Sequence, residues 1–170
     1  MSEDFEPCEG GCTCGYVRYR VLSDPLIVHA CHCTWCQRQS GTAFATNALI
    51  ETERVELIAG EVEEMMIDSP SGNGQLMARC LKCRVTVWTH YYFGGLRDYI
   101  RFFKVGTLDN PHRFAPDVHI FTETKQPWII IPEGHMQVPV YYETDKTWSA
   151  NSLKRADAIV ARARANGDYE

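Results

Sequence analysis

Apolar and polar residues alternate along most of this chain, and the alternation predicts strands before any other feature is considered. Val17, Tyr19 and Val21 fall on one face of an extended segment and Tyr16, Arg18 and Arg20 on the other, the pattern of a half-buried strand beginning near Gly15. Leu26, Ile27 and Val28 make a short apolar run, and residues 42–50, rich in Thr, Phe and aliphatic side chains, read as a strand. Residues 55–58 and 62–67 look like two strands joined around Gly60. A strong turn over 68–74 follows, after which 75–79 leads into Cys80. The β-branched and aromatic content of 85–92 marks the clearest strand, and 100–105, 118–124 and 128–131 are further candidates. Only the tail changes period. Leu153, Ala156, Ile159, Val160 and Ala163 line one face of a helix over about 150–165, with Ser149 or Ser152 as its cap and Gly167 beyond its end. The reading is a mainly β domain of antiparallel sheets with a C-terminal helix, preceded by a polar, flexible leader over residues 1–10.

Composition narrows the class. A chain of 170 residues, 45% hydrophobic and 23% charged, suits one well-cored globular domain. Its net charge of -5 leaves no basic excess to neutralise phosphates, which argues against a nucleic-acid partner. The longest apolar run, at 128–131, stops at Pro132, far short of the ~20 residues a membrane helix needs, so no membrane association is expected. The first ten residues lack the basic and apolar regions of a signal peptide, and a reducing, cytoplasmic address is expected.

The eight cysteines carry the chemistry. Seven fall in three tight groups: Cys12 and Cys14; Cys31, Cys33 and Cys36; Cys80 and Cys83. Neighbours spaced C-x-C are geometrically poor disulfide partners, whereas ligands one or two residues apart suit a metal ion. The groups divide as four plus three. Cys12, Cys14, Cys80 and Cys83 would close a tetrahedral four-thiolate site, structural in role and best suited to zinc, with iron the main competitor. Cys31, Cys33 and Cys36 can wrap one face of a second zinc and leave a position open, the arrangement of catalytic zinc. Zinc with three thiolates carries a formal charge of about -1, acidifies water weakly, and favours an incoming thiol held deprotonated. Cys8, His29 or His32 as a fourth ligand would turn this site into another staple, and Cys33 with Cys36 also has dithiol spacing.

The segments Gly11-Cys12-Thr13-Cys14-Gly15-Tyr16-Val17-Arg18-Tyr19, then Cys31-His32-Cys33-Thr34-Trp35-Cys36-Gln37-Arg38-Gln39-Ser40-Gly41-Thr42-Ala43-Phe44, then Cys80-Leu81-Lys82-Cys83 resemble the glutathione-dependent formaldehyde-activating enzyme (GFA) and centromere protein V family. Val118-His119-Ile120-Phe121 with Gln126-Pro127-Trp128 resembles the family's later motif, so the likeness spans about residues 11–131 and leaves 132–170 as a C-terminal extension. Arg84 stands where the family usually has Gly. The resemblance implies a zinc-stapled β-tent type fold, structural zinc on Cys12, Cys14, Cys80 and Cys83, and catalytic zinc on Cys31, Cys33 and Cys36. It also implies a carbon–sulfur lyase of S-(hydroxymethyl)glutathione synthase type, joining formaldehyde to glutathione or another small thiol. By residue type, Arg38 or Lys125 would receive a substrate carboxylate and His119 or His32 would move the proton. A non-catalytic zinc-stapled binding or scaffolding module is the alternative, as the family's centromere-linked members suggest.

Overall fold

The computed structural model describes residues 5–169. In chain order its strands are β1 (Cys8–Gly11), β2 (Arg18–Val21), β3 (Ile27–Cys31), β4 (Ala45–Glu51), β5 (Val55–Ala59), β6 (Val62–Ile67) and β7 (Gln75–Cys80). β8 (Thr86–Tyr91), β9 (Ile100–Lys104), β10 (Val118–Ile120) and β11 (Met136–Gln137) complete them. The helices are α1 (Thr34–Ser40), α2 (Thr144–Thr147) and α3 (Ala150–Asn166). Two sheets result, a small one in the order β1-β2-β5 and a large one in the order β11-β10-β3-β4-β9-β8-β7-β6. No helix among the described residues is long and apolar enough to cross a membrane.

The predicted alternation in the first strand sets the core. Val17, Tyr19 and Val21 are fully buried, and the Tyr19 ring stands edge-on to Trp88 at 5.7 Å and beside Phe103 at 6.5 Å. The Tyr19 hydroxyl shares a hydrogen bond of 2.7 Å with Thr107, so its polar end is satisfied at depth. Because successive residues of a strand point to opposite faces, the central strand β4 serves two cores. Ala48 and Ile50 join the cluster under the small sheet, while Leu49 packs with Ile100, Val118 and Ile159 on the other face.

α3 closes that second face as its pattern predicts. Ser149 caps it by accepting from the Ser152 N–H at 3.0 Å, and Gly167 ends it with φ +78°. Ile159 and Ala163 are buried, with Leu153, Ala156 and Val160 packed beside them. Tyr142 and Trp148 join the same cluster, and β11 pairs with β10, so the segment after residue 131 contributes to the core.

Four expectations change. Within the predicted leader, residues 1–4 lie outside the described residues, but Cys8–Gly11 is a strand paired with β2 and Phe5 packs on the core. β5 and β6 do not form a hairpin: β5 pairs with β2 and β6 with β7. The chain passes between sheets at Gly60, whose φ is +75° and where a Cβ would lie 2.1 Å from the Tyr16 carbonyl oxygen. Among the described residues, antiparallel pairing fails only at β10, which runs parallel to both β3 and β11. Residues 128–131 are not a strand. Pro127 and Pro132 bracket the run and cannot donate to a ladder, and Trp128 and Ile130 are 68% and 88% exposed.

Candidate metal centres and the adjoining cavity

Two groups of cysteine sulfurs converge, each with all its Sγ atoms within 4.8 Å of one another: Cys12, Cys14, Cys80 and Cys83, and separately Cys31, Cys33 and Cys36. The division predicted from spacing is the one the fold makes.

The four-cysteine group joins the turn after β1 to the turn after β7. Cys12 and Cys14 sulfurs are 3.4 Å apart and those of Cys14 and Cys80 3.8 Å. A tetrahedron of ~2.3 Å zinc–sulfur bonds has edges of about 3.8 Å. The two turns have related form. The Cys12 N–H donates to the Val17 carbonyl at 3.1 Å and the Cys80 N–H to the Val85 carbonyl at 3.0 Å. Backbone donors also point at the sulfurs, from Val17 to Cys12 at 3.3 Å and from Lys82 to Cys80 at 3.4 Å. After the second ligand of each turn the backbone is left-handed, with φ +75° at Gly15 and +62° at Arg84. The absence of Gly at 84 thus leaves the turn in place; Arg84 adopts the glycine-like conformation and its guanidinium pairs with Glu63.

The three-cysteine group is built by the end of β3 and the start of α1. Cys31 closes the strand. Cys33 is the N-cap of α1, its sulfur accepting from the Cys36 N–H at 3.3 Å. Gln37 fastens the segment, donating to the carbonyls of His32 at 2.6 Å and Thr124 at 2.9 Å. The turn it reaches exists because Phe121, with φ +56°, stops β10. Hydrogen bonds from Cys31 and Cys36 hold the Cys33 thiol down at about 3, while the same contacts and burial drive Cys31 far up. Packed this closely, three thiolates repel one another. A soft divalent cation lets all three ionise together, so the donor set fits zinc.

These three cysteines line a cavity of about 530 Å³. Its walls are largely aromatic: Trp35, Tyr91, Phe93, Phe102, Phe121 and Tyr141. Polar groups enter from His29, Asn47, Gln75, Thr89 and Lys104. Lys104 stands opposite Asn47 across β4 and β9 and donates to its side-chain oxygen at 2.7 Å and to that of Gln39 at 3.3 Å. Burial lowers the Lys104 pKa, and the neighbouring cysteines oppose that fall. Burial also pushes His29 down to about 3, leaving a neutral ring bonded to the Tyr142 hydroxyl at 2.6 Å. Trp35 is a wall of the cavity, its indole N–H donating to the Gln75 side-chain oxygen at 3.2 Å.

The other candidate residues lie elsewhere. His32 and His119 point to the opposite face of the sheet from Cys31 and Ile120, bonded to each other at 2.9 Å, and His119 borders a separate cleft with Trp128 and His135. Neither lines the cysteine cavity, because strand alternation sends neighbouring side chains to opposite faces. Arg38 is exposed on α1. Lys125 is engaged by the backbone carbonyls of Ile129 at 2.6 Å and Gln126 at 3.2 Å. Neither cation reaches the cavity wall. Cys8 belongs to neither sulfur group. The cavity-lining cation that the motifs do not disclose is Lys104, the last residue of β9, Ile100–Lys104.

A family model described as "Glutathione-dependent formaldehyde-activating enzyme" matches residues 7–124. Among solved structures, the chain is similar to a Rhodobacter sphaeroides protein at 18% identity, over 62% of this chain and 93% of that one, with a TM-score of 0.46.

Proposed function

The chain belongs to the glutathione-dependent formaldehyde-activating enzyme family, and on that premise we propose that it is a zinc-dependent carbon–sulfur lyase that adds a small thiol, glutathione or a relative, to a small carbonyl such as formaldehyde, or releases the two from their adduct. The observation that supports this reading is an asymmetry. Cys31, Cys33 and Cys36 line a cavity of about 530 Å³, and Cys12, Cys14, Cys80 and Cys83 do not. The first group is thus assigned to catalysis and the second to holding the sheets together.

Zinc on the three cysteines supplies, when bound, one open coordination position that keeps an entering thiol deprotonated at neutral pH. In the forward direction the thiol loses its proton to solvent, sulfur forms a bond to the carbonyl carbon, and the carbonyl π pair moves to oxygen, which takes a proton. The reverse path breaks that carbon–sulfur bond. Lys104 has an N–H beyond those it gives Asn47 and Gln39, and its charge stabilises the oxygen as negative charge develops. The aromatic walls keep water from competing with sulfur for the carbonyl carbon. Eight cysteines without a disulfide among them suit a reducing, cytoplasmic setting.

The test is a titration of the cobalt-substituted protein with small thiols. Entry to the metal is expected to intensify the thiolate-to-metal charge-transfer absorption saturably, and Cys33→Ala to abolish that response. Absorption indifferent to every thiol would leave the non-catalytic, zinc-stapled module as the better description.

A further inference from the structure

The cavity's walls and charges say which thiol it suits. We infer that it selects a thiol with an uncharged aromatic body, and that glutathione is the weaker ligand; this rests on the thiol-activating reading above.

Shape and chemistry of the wall come first. Phe93 and Phe102 already meet edge to face at 5.9 Å, and Tyr91 and Phe102 at 6.4 Å. A substrate ring extends that arrangement, since aromatic groups attract edge to face beyond their area of burial. The volume of about 530 Å³ admits a ring with its thiol or thiol adduct.

Charge decides against the tripeptide. Among the described residues that line the cavity, Lys104 is the single cationic side chain and none is Asp or Glu. Three thiolates, a divalent metal and one lysine sum to zero, so an entering thiolate is the only further charge the site meets. Glutathione brings two carboxylates and an ammonium besides its sulfur. Its ammonium finds no acidic partner among the described lining residues, and its two carboxylates meet one cation, Lys104, whose charge already balances the metal and the three thiolates. A charge taken from water without a partner is costly. An aromatic thiol carries none of these groups and matches the wall.

The experiment compares benzyl mercaptan with glutathione in charge-transfer titrations of the cobalt-substituted protein. Benzyl mercaptan is expected to bind at least about tenfold tighter, the ratio set by one poorly paired charged group. Tyr141→Arg, a change at an exposed rim position, gives a carboxylate its missing partner and is expected to narrow the ratio. Glutathione binding as tightly as benzyl mercaptan, with the absorption responding to both, overturns the inference and leaves the thiol-activating reading in place. No response to either thiol overturns both.

Discussion

Replacing Arg84 separates the backbone of the four-cysteine turn from its side-chain contacts. Arg84 holds φ +62°, a region in which a Cβ crowds the following carbonyl and costs an ordinary residue about 1–2 kcal/mol. Its guanidinium pairs with Glu63, but the two side chains are 58% and 40% exposed, so the pair adds only about 0–1 kcal/mol. Arg84→Gly loses the pair and relieves the backbone; Arg84→Ala loses the pair and keeps the strain. The two variants differ by one Cβ, and glycine is expected to be the more stable by about 1 kcal/mol. Wild type should fall between them or level with glycine. For a chain of this length that difference corresponds to about 2–4 °C in Tm. Thermal unfolding of the zinc-loaded proteins, followed by circular dichroism, measures it, with zinc content recorded for each. An alanine variant as stable as the glycine variant would refute the claim that this turn is strained at Arg84.

Other substitutions probe the cores on either side of the large sheet. Glu51 is only 4% exposed and is bonded to Arg155, with Arg54 at 3.1 Å. Arg155→Ala strips its main partner and should lower unfolding free energy by about 2–4 kcal/mol in urea titration; a loss under about 1 kcal/mol would show Arg54 sufficing alone. Burial alone would raise the Glu51 pKa, but the Arg155 hydrogen bonds and nearby guanidinium charges hold it below the usual carboxylate range. Its contribution is therefore present above pH about 4.3 and is lost as pH falls through the folded value, so the stability gap between wild type and Glu51→Gln should shrink on acidification. A gap that widens toward acid would reverse that sign. Tyr142→Phe removes a hydroxyl that bonds His29 at 2.6 Å and accepts from the Trp148 indole at 2.8 Å. Leaving both unpaired in the core should cost about 1–3 kcal/mol by chemical denaturation, and a change within about 0.5 kcal/mol would mean neither needs the hydroxyl.

Much of the fold was legible because its causes are local. The period of Val17, Tyr19 and Val21 specifies a face, and the spacing of Leu153, Ile159 and Ala163 specifies a helix whose caps are written at Ser149 and Gly167. The cysteine groups were legible for the same reason, since chelation is governed by short spacings. What stayed hidden depends on contacts distant in sequence. Whether β6 pairs with β5 or with β7 turns on the close approach of Gly60 to Tyr16. The parallel placement of β10 beside β3 has no short-range signature. The same limit applies to the site. His32 and His119 have the right chemistry, and His32 sits within a cysteine motif, yet neither lines the cavity. Lys104 lies 68 residues beyond Cys36 in the numbering and reaches the cavity only through the pairing of β9 with β4.

Zinc content measured on wild type, Cys33→Ala and Cys80→Ala tests the division of labour between the two sulfur groups most directly. Two zinc ions per wild-type chain are expected, falling to one in Cys33→Ala with near-ultraviolet circular dichroism and Tm preserved, whereas Cys80→Ala should lose the fold along with the metal. Loss of the fold in Cys33→Ala, or two ions retained there, would contradict a separate reactive site on Cys31, Cys33 and Cys36.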